Sequence, residues 1–134
     1  MVLVDTNVIL DVVQDDPVWA DWSQGQLDAW FLRDEIGINS VIYAELSIAY
    51  SRIEELEGTV DTAQLRLLEI PREALFLAGK VFFAYRKQGG TRTGVLPDFF
   101  IGAHAAVVGL PLLTRERARY RTYFPGVVLI APEV

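Results

Sequence analysis

Cysteine is absent from the 134 residues, and histidine occurs once. Disulfides, thiol nucleophiles and thiolate metal sites are therefore excluded, and one chain cannot build a multi-histidine zinc site. A Ser-His-Asp centre would have to run through His104 alone. Long apolar runs are also missing, since no stretch reaches the roughly 18 residues that a membrane span needs. The chain enters its first apolar run at once, without a basic segment ahead of it or a small-residue cleavage site, so no signal peptide is expected. These absences read as an intracellular, cytoplasmic protein with no membrane attachment. The expectation is one domain over residues 1–134, with 51% hydrophobic residues to fill its core.

Positive charge is scarce but concentrated. The net charge of −6 speaks against a nucleic-acid partner at first sight. Residues 1–85, however, carry 5 basic and 15 acidic groups, whereas residues 86–121 carry 7 basic and 2 acidic ones. The second segment holds Arg86, Lys87, Arg92, Arg115, Arg117, Arg119 and Arg121. Two readings fit this asymmetry: a basic rim that takes a polyanion beside an acidic pocket, or a solvated helix face.

The opening stretch MVLVDTNVILD organises the rest. Val2-Leu3-Val4 has the composition of a strand buried on both faces. Asp5 follows directly, then Thr6, Asn7 and a run with helical spacing to Val13. Asp5 either caps that helix or points into the crevice where open α/β sheets bind ligands.

Further along, Asp16-Pro17 predicts a capped helix start, and the apolar positions from Val18 to Leu32 predict one or two helices, with a break at Gly25. Trp19, Trp22 and Trp30 read as core or interface rather than a base-stacking surface. Glu35 to Asn39 predicts a strand, followed by a helix from Val41 to about Ile53 with the stripe Ile42, Leu46, Ala49 and Ile53. Glu45 falls inside that stripe. A carboxylate there must be salt-bridged, protonated or cation-bound, because an isolated buried charge is too costly.

Residues 54–62 read as a polar turn leading into a short helix through Leu68. Pro71 opens a long helix that Gly89 stops. The loop from Gly89 to Gly94 is glycine-rich but lacks the Lys-Ser or Lys-Thr ending of a nucleotide P-loop. Pro97-Asp98 starts another helix, in whose first turn the dipole alone explains an Asp. His104 falls on a different face from Asp98 and reads as a packed residue. Leu110 to Thr114 and Val127 to Ile130 complete the strands. Strands alternating with helices predict a three-layer α/β/α sandwich with a mostly parallel central sheet.

Asp5, Glu45, Asp98 and Glu116 then fall at strand ends or in early helical turns, and all four can gather at one edge of the sheet. Two unit charges about 4 Å apart repel by roughly 4 kcal/mol at an effective dielectric of 20, so four carboxylates share a pocket only with a cation. Oxygen donors without Cys or His select Mg²⁺ or Mn²⁺ over zinc. Such ions activate water at a phosphodiester, which points to metal-dependent hydrolysis of a nucleic acid.

The motifs VDTNVILD (4–11), INSVIYAELS (38–47), LPDFFIGAHA (96–105), LLTRE (112–116) and YFPGVVLIAP (123–132) together resemble the PIN-domain ribonucleases, in particular the VapC toxins of toxin–antitoxin pairs. The resemblance implies a PIN-like fold and a Mg²⁺-dependent endoribonuclease that halts translation. It implies Asp5, Glu45 and Asp98 as the catalytic acidic cluster holding the metal, with Glu116 as the fourth catalytic acid, its longer side chain also within reach of the metal. Asn7 would orient Asp5, with Thr6 and Thr114 in support, and Arg86, Arg92 and Arg115 would contact RNA. A homodimer and a cognate VapB-type antitoxin are implied as well. One departure stands out: the family commonly has Asp at the fourth acidic position, where this chain has Glu116, and this leaves the second-ion geometry open.

Rival readings fare less well. A haloacid-dehalogenase-type phosphatase needs a second Asp where Asn7 stands, and a response-regulator receiver needs a late lysine where Thr114 stands. A non-catalytic PIN-like module that binds RNA or protein remains the alternative.

Overall fold

Val2, Leu3 and Val4 have no exposed surface, as a strand with neighbours on both sides and helices on both faces requires. They form β1 (Val2–Val4), the middle strand of a five-stranded sheet with β2 (Ile36–Asn39), β3 (Leu65–Leu68), β4 (Leu112–Leu113) and β5 (Leu129–Ile130). The strand order is β3-β2-β1-β4-β5 and every pairing is parallel. The computed structural model describes residues 1–133. Seven helices complete this part of the chain: α1 (Thr6–Val13), α2 (Ala20–Arg33), α3 (Ser40–Ser47), α4 (Ile53–Thr62), α5 (Arg72–Lys87), α6 (Leu96–Val108) and α7 (Arg117–Tyr123). The result is the three-layer α/β/α arrangement expected from the alternation of elements.

The strand order positions the site. From β1 the chain steps outward to β2 and β3, then returns to the other side of β1 with β4 and β5. Where the direction of winding reverses, a crevice opens at the carboxyl ends of the strands. Here it lies between β1 and β4, which pair through Leu3 with Leu112 and Val4 with Leu113. Asp5 extends the ladder by one bond, its N–H donating to the Leu113 carbonyl at 2.9 Å. The residues just past these two strands, Asp5 and Thr114, therefore meet at the crevice.

Several local expectations change. The helix predicted from Val41 to Ile53 stops at Ser47, and α4 begins afresh at Ile53. The buried stripe ends at Leu46, since Ala49 and Ile53 are exposed. The restart has a cause in the sequence: the Glu55 side chain accepts the Arg52 backbone N–H at 3.1 Å, and Glu54 and Glu55 sit in the positive first turn of α4. The segment 54–62 is thus helix rather than turn, and Leu65–Leu68 is strand rather than helix. LRLL has no β-branched residue, and β3 exists because its backbone pairs with β2 along four registered positions.

Asp16 does take the Val18 and Trp19 N–H groups on its carboxylate, both at 2.9 Å, but the regular helix begins only at Ala20 and runs through Gly25 unbroken. Trp22 and Trp30 are half-buried against the core. Gly89 and Gly109 carry the left-handed backbone (φ +93 and +76) that stops α5 and α6. Gly102 serves packing: a Cβ there would lie 2.4 Å from the Phe124 ring, so its absence lets that ring seat on α6. Among the described residues no helix is long and apolar enough to cross a membrane.

Candidate metal centre

Asp5 is the N-cap of α1 and is 3% exposed. Its Oδ1 accepts the Thr6 N–H at 2.8 Å. Its Oδ2 accepts three donors: the Thr114 hydroxyl at 2.7 Å, the Tyr120 hydroxyl at 3.0 Å and the Asn7 amide at 3.3 Å. Each of these favours the ionised carboxylate, yet burial and then the negative Asp98 push the group up to about 7. A carboxyl so well supplied with donors is still raised because burial excludes water from it and a second carboxylate, Asp98, acts on it.

The other acids arrive from separate elements. Glu45, half-buried on α3, accepts the Thr6 hydroxyl at 2.7 Å. Thr6 therefore serves two acids, Asp5 through its backbone and Glu45 through its side chain. Burial, assisted by Asp98, raises Glu45 above the usual carboxylate range. Asp98 lies in the first turn of α6 and is paired with Arg119 of α7. Burial outweighs that pairing and the Asp98 carboxyl is also raised, with the Glu116 charge contributing. Glu116 precedes α7, and its backbone N–H donates to the Thr114 hydroxyl at 2.9 Å. The site thus gathers Asp5, Glu45, Asp98 and Glu116 with Thr6, Asn7 and Thr114.

A hydrogen-bonded frame holds this edge of the sheet. Thr114 donates to Asp5 and accepts from Glu116 N–H, while Asn7 donates to Asp5 and accepts the Arg115 N–H on Oδ1 at 3.1 Å. Asn7 accordingly fixes both Asp5 and the loop after β4. Among the described residues no three Asp, Glu or His side chains are closed into a metal-holding cage. Asp98 is held by Arg119 and Glu45 by Thr6. The donor set fits a hard divalent ion in kind, because it is made of carboxylate oxygens around a buried acid whose negative neighbours lack a full complement of counter-charge.

Three residues in or beside the candidate site are not singled out by the sequence. Tyr120 is buried, and burial together with the charges of Asp5, Asp98 and Glu45 raises its hydroxyl well above the usual phenol, so it stays a neutral donor. Its spacing with Tyr123 and Phe124 marks the apolar side of a helix that the run of arginines obscures. In the sequence Arg119 is one of seven cations in a basic segment, with nothing to set it apart. Asp11 is 3% exposed and accepts the Arg115 guanidinium through both oxygens at 2.6 and 2.8 Å, and the Ser23 hydroxyl at 2.7 Å. Its signal was a charge three residues after Val8 on the buried side of α1.

Arg115 also lies over the Trp19 ring at 5.2 Å, so its fork is committed inside the protein. Arg86 and Arg92 are exposed, Arg86 over the Phe82 ring and Arg92 donating its backbone N–H to the Tyr85 hydroxyl at 3.1 Å. His104 lies apart from the acids, buried and 3.0 Å from the Asn39 amide; burial lowers its pKa below 6.5.

The fold has counterparts among solved structures. No curated protein matches the sequence. Among solved structures the chain is similar to VapBC2 from Rickettsia felis bound to a promoter DNA fragment (TM-score 0.75, 19% identity, 99% of this chain and 100% of that one). It is also similar to DNA-bound VapBC from Salmonella typhimurium (TM-score 0.70, 20% identity, 98% of each chain) and to FitAcB from Neisseria gonorrhoeae (TM-score 0.70, 18% identity, 98% of each chain). At such identities the likeness is one of fold. The PIN domain family matches residues 2–125, nearly the full length. The chain belongs to the PIN domain family.

Proposed function

We propose that this chain is a Mg²⁺-dependent endoribonuclease, the toxin of a VapBC-type toxin–antitoxin pair. The observation that supports the reading is that Asp5, Glu45 and Asp98, from three separate segments near the crevice between β1 and β4, act on one another's charge, with Glu116 acting on Asp98. Separate helix caps would have no reason to share one field, yet the Asp98 charge reaches both Asp5 and Glu45, and Glu116 reaches Asp98.

In this reading Asp5, Glu45 and Asp98 hold the ion and Glu116 completes the acidic set. When bound, Mg²⁺ or Mn²⁺ activates a water and offsets charge on the phosphodiester. The chain's own residues do the rest. Thr114, Tyr120 and Asn7 fix Asp5 as an acceptor, and Thr6 holds Glu45 beside it. Arg86 and Arg92 are free to meet RNA phosphates at the end of α5 and on the loop that follows. Arg115 contributes through its position: clamped by Asp11, it holds the strand-end loop that carries Glu116.

The partners follow from the same reading. An apolar groove of about 640 Å³, lined by Ile9, Val12, Leu27, Phe31 and Ile36 among others, offers a VapB-type antitoxin a surface to bury. Exposed Phe76 and Phe83 on α5 offer the same to a second copy in a homodimer. The protein acts in the cytoplasm, where its RNA is.

The test uses purified, antitoxin-free protein on structured RNAs with Mg²⁺ or Mn²⁺. Internal cleavage that is lost in EDTA and in Asp5→Ala and Asp98→Ala is expected. Cleavage that survives EDTA or either substitution overturns the mechanism, and metal binding without cleavage turns the reading towards a binding module.

A further inference from the structure

Asp98 is the only one of the four acids that makes an ion pair among the described residues, and its partner is Arg119, in the first turn of α7. The Arg119 Nη1 donates to Asp98 Oδ2. The side chains are 27% and 19% exposed, so the pair is largely shielded from water while the arginine keeps a route outward. The Arg119 guanidinium also lies in the field of Glu116, and the next residue, Tyr120, donates to Asp5. Among the described residues Arg119 is the one cation paired with any of these carboxylates.

Resting on the metal-nuclease reading above, we propose that Arg119 exchanges partners during the catalytic cycle. It neutralises Asp98 before a divalent ion binds, releases that carboxylate to the ion, and then pairs with the phosphate of the RNA strand. Two physical points lead there. A guanidinium and a divalent cation on the two sides of one carboxylate repel each other, so occupancy of Asp98 by one weakens its hold on the other. The planar fork that fits a carboxylate also fits a phosphate, so the displaced group has a second partner of the same geometry as soon as substrate enters. The arrangement also couples the two ligands: the phosphate keeps Arg119 away from Asp98, so RNA strengthens metal binding and metal strengthens RNA binding.

The experiment compares wild type, Arg119→Gln and Arg119→Lys as full-length, folded proteins checked by circular dichroism. Mn²⁺ affinity is measured by calorimetry, and binding of a single-stranded 2′-O-methyl oligonucleotide, which resists cleavage, is measured with Mn²⁺ present. Losing one charge-assisted hydrogen bond is worth about tenfold or more in an equilibrium constant. Arg119→Gln is therefore expected to bind Mn²⁺ about tenfold tighter without oligonucleotide, and the oligonucleotide about tenfold more weakly. Arg119→Lys keeps the charge but loses the fork, so it is expected to hold Mn²⁺ near the wild-type affinity and still bind the oligonucleotide more weakly. Equal or weaker Mn²⁺ binding by Arg119→Gln overturns the exchange while leaving the metal site intact. Failure of both wild type and Arg119→Gln to bind Mn²⁺ instead removes the metal-nuclease reading, and the exchange with it.

Discussion

Asp5→Asn should destabilise the metal-free protein at pH 5 and do so far less, or even stabilise it, at pH 8. The Asp5 carboxyl is raised from 3.8 to about 7 in the folded protein. A group raised on folding contributes stability that is complete below its unfolded pKa and is lost as pH climbs through its folded one. At pH 5 the folded carboxyl is almost wholly protonated while the unfolded one is ionised, and by pH 8 both are ionised. Linkage over those limits gives about 2.5 kcal/mol of stability lost by the wild type between pH 5 and pH 8 from this residue.

The asparagine cannot titrate, so it escapes that loss, but it carries its own cost at every pH. Asp5 receives the Thr6 N–H on one oxygen and Thr114, Tyr120 and Asn7 on the other. Whichever way an amide is turned, its NH₂ faces donors, a mismatch costing about 1–3 kcal/mol. The difference in unfolding free energy between variant and wild type should therefore shift by about 2–3 kcal/mol in favour of the variant from pH 5 to pH 8. The acid-side loss from His104 is common to both proteins and cancels. Urea unfolding in EDTA at the two pH values is the assay, and a difference that stays constant with pH would refute the raised Asp5. Added Mn²⁺ at pH 8 should then restore the wild type more than the variant, because the ion takes over the charge that burial leaves uncompensated.

Three further outcomes test other parts of the molecule. Asp11→Ala removes the acceptor of Arg115 and Ser23 and should cost about 2–3 kcal/mol in urea unfolding, discounted from a fully buried pair because Arg115 is 28% exposed; a loss below 0.5 kcal/mol, that of an ordinary surface pair, would contradict the clamp. Gly102→Ala puts a methyl 2.4 Å from the Phe124 ring and should lower stability by about 1–3 kcal/mol, with an unchanged melting temperature counting against that contact. Glu116→Ala should reduce RNA cleavage less than Asp98→Ala, since Glu116 is the departing member of the acidic set, and equal losses in kcat/KM would show that the longer acid does the full work of an Asp.

Much of this protein is legible in its sequence. Val2-Leu3-Val4 can only be an inner strand, because three consecutive branched apolar residues need cover on both faces. Asp5, Glu45 and Asp98 each interrupt an apolar pattern with a charge just past a strand or early in a helix, and such positions are visible in one dimension. Strand–helix alternation dictated parallel pairing, since a crossover helix returns the chain to the same end of the sheet. Less legible was the boundary at Ser47, where apolar spacing ran on past the real end of α3, and β3, whose four residues have no strand preference of their own and pair because β2 offers an open edge.

What only the tertiary structure decided is which charges meet. The sequence held twelve cations and eighteen acids without any rule for matching them. Packing of α7 against α6 gives Asp98 to Arg119, and the fold of α1 beneath the β4 edge gives Asp11 to Arg115, although both arginines lay in the same basic stretch. Tyr120 reaches Asp5 across 115 residues of chain. Pairings of that kind depend on distance and desolvation in space, and neither quantity is a property of sequence spacing. The opening VDTN set where an acid would stand; the packed molecule set how basic that acid became and which groups hold it.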